Sequence, residues 1–217
     1  MRYCQKEESR ASGRRPLVLG DVGGSQGRRS DLLAVADALK SGASLSDIAF
    51  NYTVPFIKFS KGIEKAAAYL VQAEGYSPKE VYIHWGETGT GKTRSVYDEH
   101  GYNNVFKWSA GMGKWFDGYD QQDVILCDDL RYTVDNGKCF LNGRTIAWWL
   151  NFLDGYPVQV EVKCGMRFIR ASHVYITTNQ DPKDWWAEMP LATARDPFMR
   201  RVTKVVHFNK YQTLNKN

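Results

Sequence analysis

The sequence VYIHWGETGTGKT, residues 81–93, decides the fold of this chain. An apolar run of five residues leads directly into GETGTGKT, which fits the pattern GxxxxGK[ST]. A glycine-rich turn can contain Lys-Thr by chance. Here, however, a β-type run precedes the glycines and a helix-compatible segment follows them, which is the context that the pattern requires. The sequence therefore predicts a phosphate-binding loop between a strand and a helix.

The residues of this loop indicate how it would hold a nucleotide. Its glycines allow consecutive backbone N–H groups to curl around phosphate oxygens. Lys92 can reach the β- and γ-phosphates, and the hydroxyl of Thr93 can hold Mg²⁺ at the helix N-terminus. The predicted nucleotide-binding residues are Gly86, Glu87, Thr88, Gly89, Thr90, Gly91, Lys92 and Thr93.

Polar residues follow two further apolar runs. Asp128 and Asp129 follow residues 124–127, and Asn179 follows residues 174–178. A strand-end turn is the alternative explanation for each, but a phosphate-binding loop needs a second metal ligand from a neighbouring strand, and Asp128 suits that role. We expect Asp129 to orient and deprotonate the attacking water. We expect Asn179 to contact the γ-phosphate and the same water.

The chain divides into a helical part and an α/β part. Residues 9–30 are rich in Gly, Ser and Arg and predict a linker, after which apolar residues recur at helical spacing from Ser30, an expected N-cap. Residues 30–75 are thus expected to form a small helical bundle. After Pro78, short β-type runs alternate with helical segments, which is typical of an α/β fold. The runs are residues 81–85, 104–108, 123–127, 158–162 and 173–177, with a helix at 146–153.

Composition excludes several classes of protein. The chain has 217 residues, 43% of them hydrophobic, and no stretch approaches the ~18 apolar residues of a membrane span. Its four cysteines form no CxxC pair, and no secretory signal opens the sequence, so we expect a protein of the cytosol or nucleus.

The basic charge lies at the ends: of the net +5, residues 1–30 carry +4 and residues 195–217 carry +5, which leaves 5 − 4 − 5 = −4 between them. Basic ends permit polyanion binding, although they can equally be solvated.

Taken together, the motifs resemble the replication initiator proteins of small circular single-stranded DNA viruses, especially circovirus-like ones, which carry a superfamily 3 helicase domain. GETGTGKT resembles the Walker A motif of that family, and KWFDGYDQQDVILCDDL resembles its segment leading into Walker B. FLDGYPVQVEVKCG and VYITTNQ resemble its motifs B′ and C. The resemblance implies an AAA+-like P-loop ATPase of the superfamily 3 type, preceded by a small helical oligomerisation domain. It also implies ATP and Mg²⁺ as cofactors.

The resemblance further implies a homo-oligomeric ring of six subunits, through which single-stranded DNA passes. Lys163 matches the family's DNA-gripping hairpin residue, with Arg167 and Arg170 assisting. The residues themselves, Lys-Cys-Gly-Met between two β-type runs, independently predict a hairpin tip, where a solvated lysine is the alternative. Arg201, with Arg200 as second choice, matches the arginine finger that reaches a neighbouring subunit's γ-phosphate.

The opening residues resemble part of the family's nicking domain. Tyr3 matches its nucleophile, but the expected His-hydrophobe-His metal motif is absent from the sequence, so we expect a remnant rather than a working nuclease. Met1 is then an internal start or a truncation. The expected domains are 1–29 (remnant and linker), 30–75 (helical oligomerisation) and 76–217 (ATPase with a basic tail).

The function expected from this resemblance is ATP-dependent DNA unwinding during rolling-circle replication, in the host nucleus or otherwise the cytoplasm, with no membrane association. Two alternatives stay open. One is an RNA helicase of a small RNA virus, against which the Tyr3 segment argues because nicking belongs to DNA replication. The other is a nucleotide-binding oligomeric fragment without turnover.

Overall fold

The computed structural model describes residues 29–72, 75–186 and 195–209. Tyr3 and nearly all of the predicted linker lie outside the described residues. The helices are α1 Ser30–Lys40, α2 Leu45–Asn51, α3 Thr53–Gln72, α4 Lys92–His100, α5 Ile146–Phe152 and α6 Arg195–Met199. The strands are β1 Glu80–Gly86, β2 Val105–Ser109, β3 Val124–Asp128, β4 Tyr132–Asp135, β5 Lys138–Leu141, β6 Val158–Val162, β7 Gly165–Ile169, β8 His173–Thr178 and β9 Lys204–Phe208. No described helix is long and apolar enough to cross a bilayer.

A five-stranded parallel sheet forms the centre of the α/β part. Its strand order is β2-β3-β8-β1-β9, and each neighbouring pair is parallel. The inner strands are covered on both faces, which is why they are continuous apolar runs in the sequence. Ile83, Ile125 and Ile176 are fully buried in the larger core, whereas Val96 of α4 and Leu126 pack on the opposite face. The α/β fold is confirmed. The five predicted strands are confirmed too: four of them are β1, β2, β3 and β8 of this sheet, and the fifth is β6.

Residues 30–72 form a separate helical cluster with its own core. Val35, Leu39, Ile48 and Ile63 pack together inside it. This bundle consists of the three helices α1, α2 and α3, and α3 has a kink at Phe59, where φ and ψ are −133° and 20°. The prediction that Ser30 caps α1 is wrong. Ser30 lies inside the helix, and Arg29 occupies the cap position without a side-chain cap.

Asp120 fastens the helical cluster to the α/β part. Its carboxylate accepts hydrogen bonds from the backbone N–H groups of Leu45 (3.1 Å) and Ser46 (2.9 Å) at the N-terminus of α2. Ser44 and Asp47 complete a capping box at the same helix end. Because the first N–H groups of a helix have no partner within the helix, these contacts hold α2 against the loop that carries Asp120.

Two antiparallel hairpins extend from the sheet. β6 and β7 form the hairpin whose tip the sequence predicts at Lys163, with Cys164 in a left-handed conformation (φ 65°). The β4–β5 hairpin was not predicted. The signal for it in the sequence is the pair Asn136-Gly137. Both residues have positive φ (48° and 72°), as the commonest two-residue hairpin turn requires.

Replacing Asp120 by alanine is expected to lower the free energy of unfolding by about 1–2 kcal/mol, because two backbone donors of α2 lose their acceptor. Urea denaturation of the purified chain measures this change. Asp37→Ala is the matched control, since Asp37 is exposed on α1 and caps no helix. Equal stability of the Asp120 variant and the control would contradict the role of Asp120 as a cap.

Candidate functional site

The phosphate-binding loop needs glycine at both ends. Gly86 has φ +140°, and a Cβ at this position would lie 2.1 Å from the carbonyl oxygen of Phe208 in β9. Gly91, immediately before α4, has φ +89°. Gly86 at the end of β1 therefore lies in close contact with β9. The left-handed conformation of Gly91 directs the first N–H groups of α4 toward the loop.

Lys92 lies at the centre of the loop. Its ammonium donates hydrogen bonds to the carbonyl oxygens of Gly86 and Glu87 (both 2.8 Å) and to Oδ1 of Asn179 (2.9 Å). The residue is only 8% exposed, and burial lowers the pKa of its amine, while Asp128 and Asp129 oppose that shift. A cation held among oxygen acceptors at a helix N-terminus is suited to binding a phosphate chain.

Thr93 and Asp128 form the candidate metal site. The hydroxyl of Thr93 donates to Oδ1 of Asp128 at 2.6 Å, and the hydroxyl of Thr177 donates to the same oxygen at 2.8 Å. Lys107 lies 3.7 Å from the other carboxylate oxygen. In the part of the chain that the structure describes, no group of three or more His, Cys, Asp or Glu side chains could hold a metal alone. One carboxylate and one hydroxyl nevertheless fit Mg²⁺, because that ion takes few protein ligands beside water and substrate phosphates.

Asn179 joins the lysine to the second carboxylate. Its amide Nδ2 donates to Oδ1 of Asp129 at 3.1 Å while its Oδ1 accepts from Lys92. Asp129 itself is in a left-handed conformation (φ 53°), and its N–H donates to the hydroxyl of Thr177 at 2.8 Å. The carboxylate is thereby turned toward the loop and not along the strand. The structure thus brings together the four polar residues at 92, 128, 129 and 179 that the sequence predicts.

Thr177 is the site residue that sequence reasoning missed. It is 1% exposed, and its hydroxyl contacts both aspartate residues, donating to the Asp128 carboxylate and accepting from the Asp129 N–H. Threonine in an apolar β-type run is ordinary, because its branched side chain favours strands. Its position two residues before Asn179 was the available signal, since alternate residues of a strand share a face.

Lys163 lies at the exposed tip of the β6–β7 hairpin, apart from the nucleotide loop. Its side chain is 74% exposed, with Nζ 3.5 Å from Asp117, and its N–H donates to the same carboxylate at 2.7 Å. Arg167 and Arg170 do not accompany it. Arg167 donates to the carbonyl of Tyr119 (2.8 Å) and lies 4.0 Å from Asp120, and the guanidinium of Arg170 lies close to Gly42 of the helical cluster. Arg167 thus lies against the loop that carries Asp120, and Arg170 lies beside the helical cluster. Their assistance to Lys163 in DNA binding stays a prediction.

The two predicted finger residues differ in their surroundings. Arg201 donates to the carboxylate of Asp154 at 2.8 Å and to the carbonyl of Pro197 at 2.9 Å, and its bond to Asp154 lowers the pKa of that carboxyl. Arg200 is exposed. Both line an open cleft of about 390 Å³ with Lys79, whose pKa burial lowers to about 8. Arg201 is thus paired within its own chain whereas Arg200 is exposed, and the choice between them as a finger stays a prediction.

Comparison with known proteins agrees with the geometry. The RNA helicase family matches residues 82–180, which contain the loop and both carboxylates. The replication-associated protein of goose circovirus is 30% identical over 184 residues, covering 85% of this chain and 56% of the relative. Those of canary circovirus and porcine circovirus 2 are 27% and 28% identical, covering 95% and 94% of this chain and 63% and 60% of theirs.

This chain therefore spans less than two thirds of the length of each of these relatives. Among solved structures, the closed state of Hsp104 with ATPγS and casein aligns with 85% of this chain and 37% of that one, at 14% identity and a TM-score of 0.37, a likeness too distant to carry a conclusion. The sequence similarity extends along most of the chain. The chain is a homologue of the circovirus replication-associated proteins, with a helicase family match over its nucleotide loop.

Proposed function

We propose that this chain is the ATP-driven helicase part of a viral replication protein and that it moves along single-stranded DNA. The observation that carries the proposal is the hydrogen-bonded row Lys92–Asn179–Asp129 beside the pair Thr93–Asp128. This row places a phosphate-binding cation, a water-orienting carboxylate and a metal-binding pair within one site. Those are the parts that phosphoryl transfer to water requires.

Each group has a distinct task in this proposal. The backbone N–H groups of residues 89–93 and the Lys92 ammonium bind the phosphates, and Thr93 with Asp128 would hold Mg²⁺, which neutralises charge on the phosphate oxygens. Asp129 accepts a proton from water, and Asn179 keeps its carboxylate oriented. Thr177 positions the carboxylate of Asp128 and the backbone of Asp129 through its hydroxyl.

The proposal of DNA as the nucleic acid rests on Lys163 and on the relatives. Lys163 is a cation on an exposed, backbone-anchored hairpin tip, which suits contact with a phosphate chain. The matched relatives are replication-associated proteins of circoviruses, from which we infer a role in rolling-circle replication in the host nucleus. RNA as substrate is the second candidate, because the matching family is described as RNA helicase.

A ring of subunits is the assembly that we propose, with six as the expected number and the helical cluster as its collar. Phe50, Val54 and Ile57 are 85%, 60% and 74% exposed at helical spacing across α2 and α3. An exposed apolar patch of this kind marks an interaction surface. The domain boundaries 1–29, 30–75 and 76–217 and the inactivity of Tyr3 as a nicking residue stay predictions of the sequence.

Lys92→Ala is expected to abolish ATP binding or turnover, because it removes the cation at the centre of the loop. Asp129→Asn should bind ATP with nearly unchanged affinity and lose most of its turnover, since only the proton acceptor is lost. Phosphate release and calorimetric binding of ATP with Mg²⁺ separate the two effects. Lys92→Ala protein that hydrolyses ATP at the parent rate would refute the site, and parent protein that binds ATP without turnover would indicate the fragment alternative.

Lys163→Ala is expected to reduce DNA-stimulated ATP hydrolysis while basal hydrolysis stays unchanged, because the hairpin tip is separate from the phosphate-binding loop. The slope of DNA affinity against salt should fall by about one counterion. Lys138→Ala, which removes an exposed lysine from the other hairpin, is the matched control. Stronger stimulation by single-stranded RNA than by DNA of the same length would favour the second candidate substrate.

Arg200→Ala is expected to leave ATP binding nearly normal and to slow hydrolysis by about 10³-fold, because a finger acts on the charge of the transition state. Mixing it with Lys92→Ala protein should restore part of the activity through composite interfaces. Arg201→Ala should mainly lower stability, because it leaves Asp154 without its ion pair. The reverse pattern, with turnover lost in Arg201→Ala alone, would return Arg201 to the role that the sequence first suggested.

A further inference from the structure

If the proposed function holds, the strand order determines which end of a nucleotide at this loop lies toward which edge of the sheet. Two groups would meet the γ-phosphate and Mg²⁺: Asp128, which ends β3, and Asn179, which follows β8. The loop itself begins at the end of β1, and the order of these strands is β3-β8-β1-β9. The phosphate chain therefore has its γ-end on the β8 side of β1. The nucleoside must lie toward the opposite side, which is β9 at the edge of the sheet.

An aromatic pair occupies that edge. Trp85, the residue before Gly86, lies opposite His207 of β9 in the strand register. Their rings are stacked, with centroids 4.0 Å apart and planes 15° from parallel. Trp85 is half-buried and His207 is exposed. Among the described residues, the His207 side chain makes no hydrogen bond or ion pair and its ring stacks only on Trp85, so its outer ring face is available for a further planar group.

The other stacked or edge-on tyrosine pairs at the surface lie at the wrong end of the sheet. Tyr97 and Tyr102 stack near the end of α4, just before β2 begins. Tyr76 and Tyr156 meet before the beginnings of β1 and β6. Strands in a parallel sheet share one carboxyl edge, where the loop lies, so neither tyrosine pair is placed to meet the base of a nucleotide bound there.

We propose that Trp85 and His207 form a stacking platform for the purine base of the ATP held by the loop. The platform and the loop are fixed to each other. Gly86 follows Trp85, Phe208 follows His207, and Gly86 lies in close contact with the carbonyl of Phe208. A base that continues the ring stack gains dispersion and apolar burial independently of the phosphates. The platform would account for affinity toward nucleosides beyond that of a bare phosphate chain.

The test compares ATP with inorganic tripolyphosphate, both with Mg²⁺, by titration calorimetry. His207→Ala and Trp85→Ala are expected to weaken ATP binding by about tenfold and to leave tripolyphosphate binding unchanged within about twofold. His207→Phe should restore ATP affinity, because it restores a flat ring. Tyr102→Ala, which removes an exposed ring from the other stack, is the matched control and should bind both ligands as the parent does.

Each result decides the proposal. ATP affinity at the parent value in His207→Ala overturns the platform and leaves the proposed function standing. An equal loss of ATP and tripolyphosphate affinity also overturns it, because the loop rather than a base contact has then been altered. His207→Ala keeps the test valid where Trp85→Ala fails to fold, since His207 lies on an exposed edge strand. A parent chain that binds neither ligand overturns the proposed function and the platform together.

Discussion

The hydrogen bond between the Lys92 ammonium and the Asn179 amide joins residues 87 positions apart in the chain, and the candidate site is arranged around it. On one side, Lys92 fixes the loop through the carbonyls of Gly86 and Glu87. On the other, Asn179 holds Asp129. The bond exists because β1 and β8 are paired in parallel register, so their carboxyl ends meet at one edge. The residues proposed for phosphate binding and for water activation therefore depend on the same strand pairing for their positions.

The elements of the fold were predictable wherever local sequence dictates them. Buried parallel strands are continuous apolar runs, and residues 158–162 were predicted with the same bounds that β6 has. The phosphate-binding loop was predictable because its conformation requires glycines at fixed spacing. Asp128, Asp129 and Asn179 could be placed near it because each follows such a run. In these cases the physical cause lies within a few residues of its effect.

Contacts between distant segments were not predictable in this way. Asp120 caps a helix 74 residues earlier in the sequence, and nothing near Asp120 marks it as a cap. Arg201 is paired with Asp154, 47 residues away, which its neighbours in sequence do not reveal. The contacts of Arg167 with Tyr119 and Asp120, 48 and 47 residues earlier in the chain, could not be read from its neighbours in sequence either. A basic residue type alone does not show whether its side chain lies free at the surface or is paired with a distant segment.

Strand β9 is fastened to β1 at both of its ends. Near its beginning, the N–H of Thr203 donates to the carbonyl of Val81 at 2.7 Å, and near its end Phe208 presses on Gly86. Arg200 lies only three residues before Thr203, so its distance from the phosphate-binding loop of its own chain is fixed. A displacement of β1 would therefore carry the exposed Arg200 with it, so the glycine-rich loop and this arginine would move as one rigid unit.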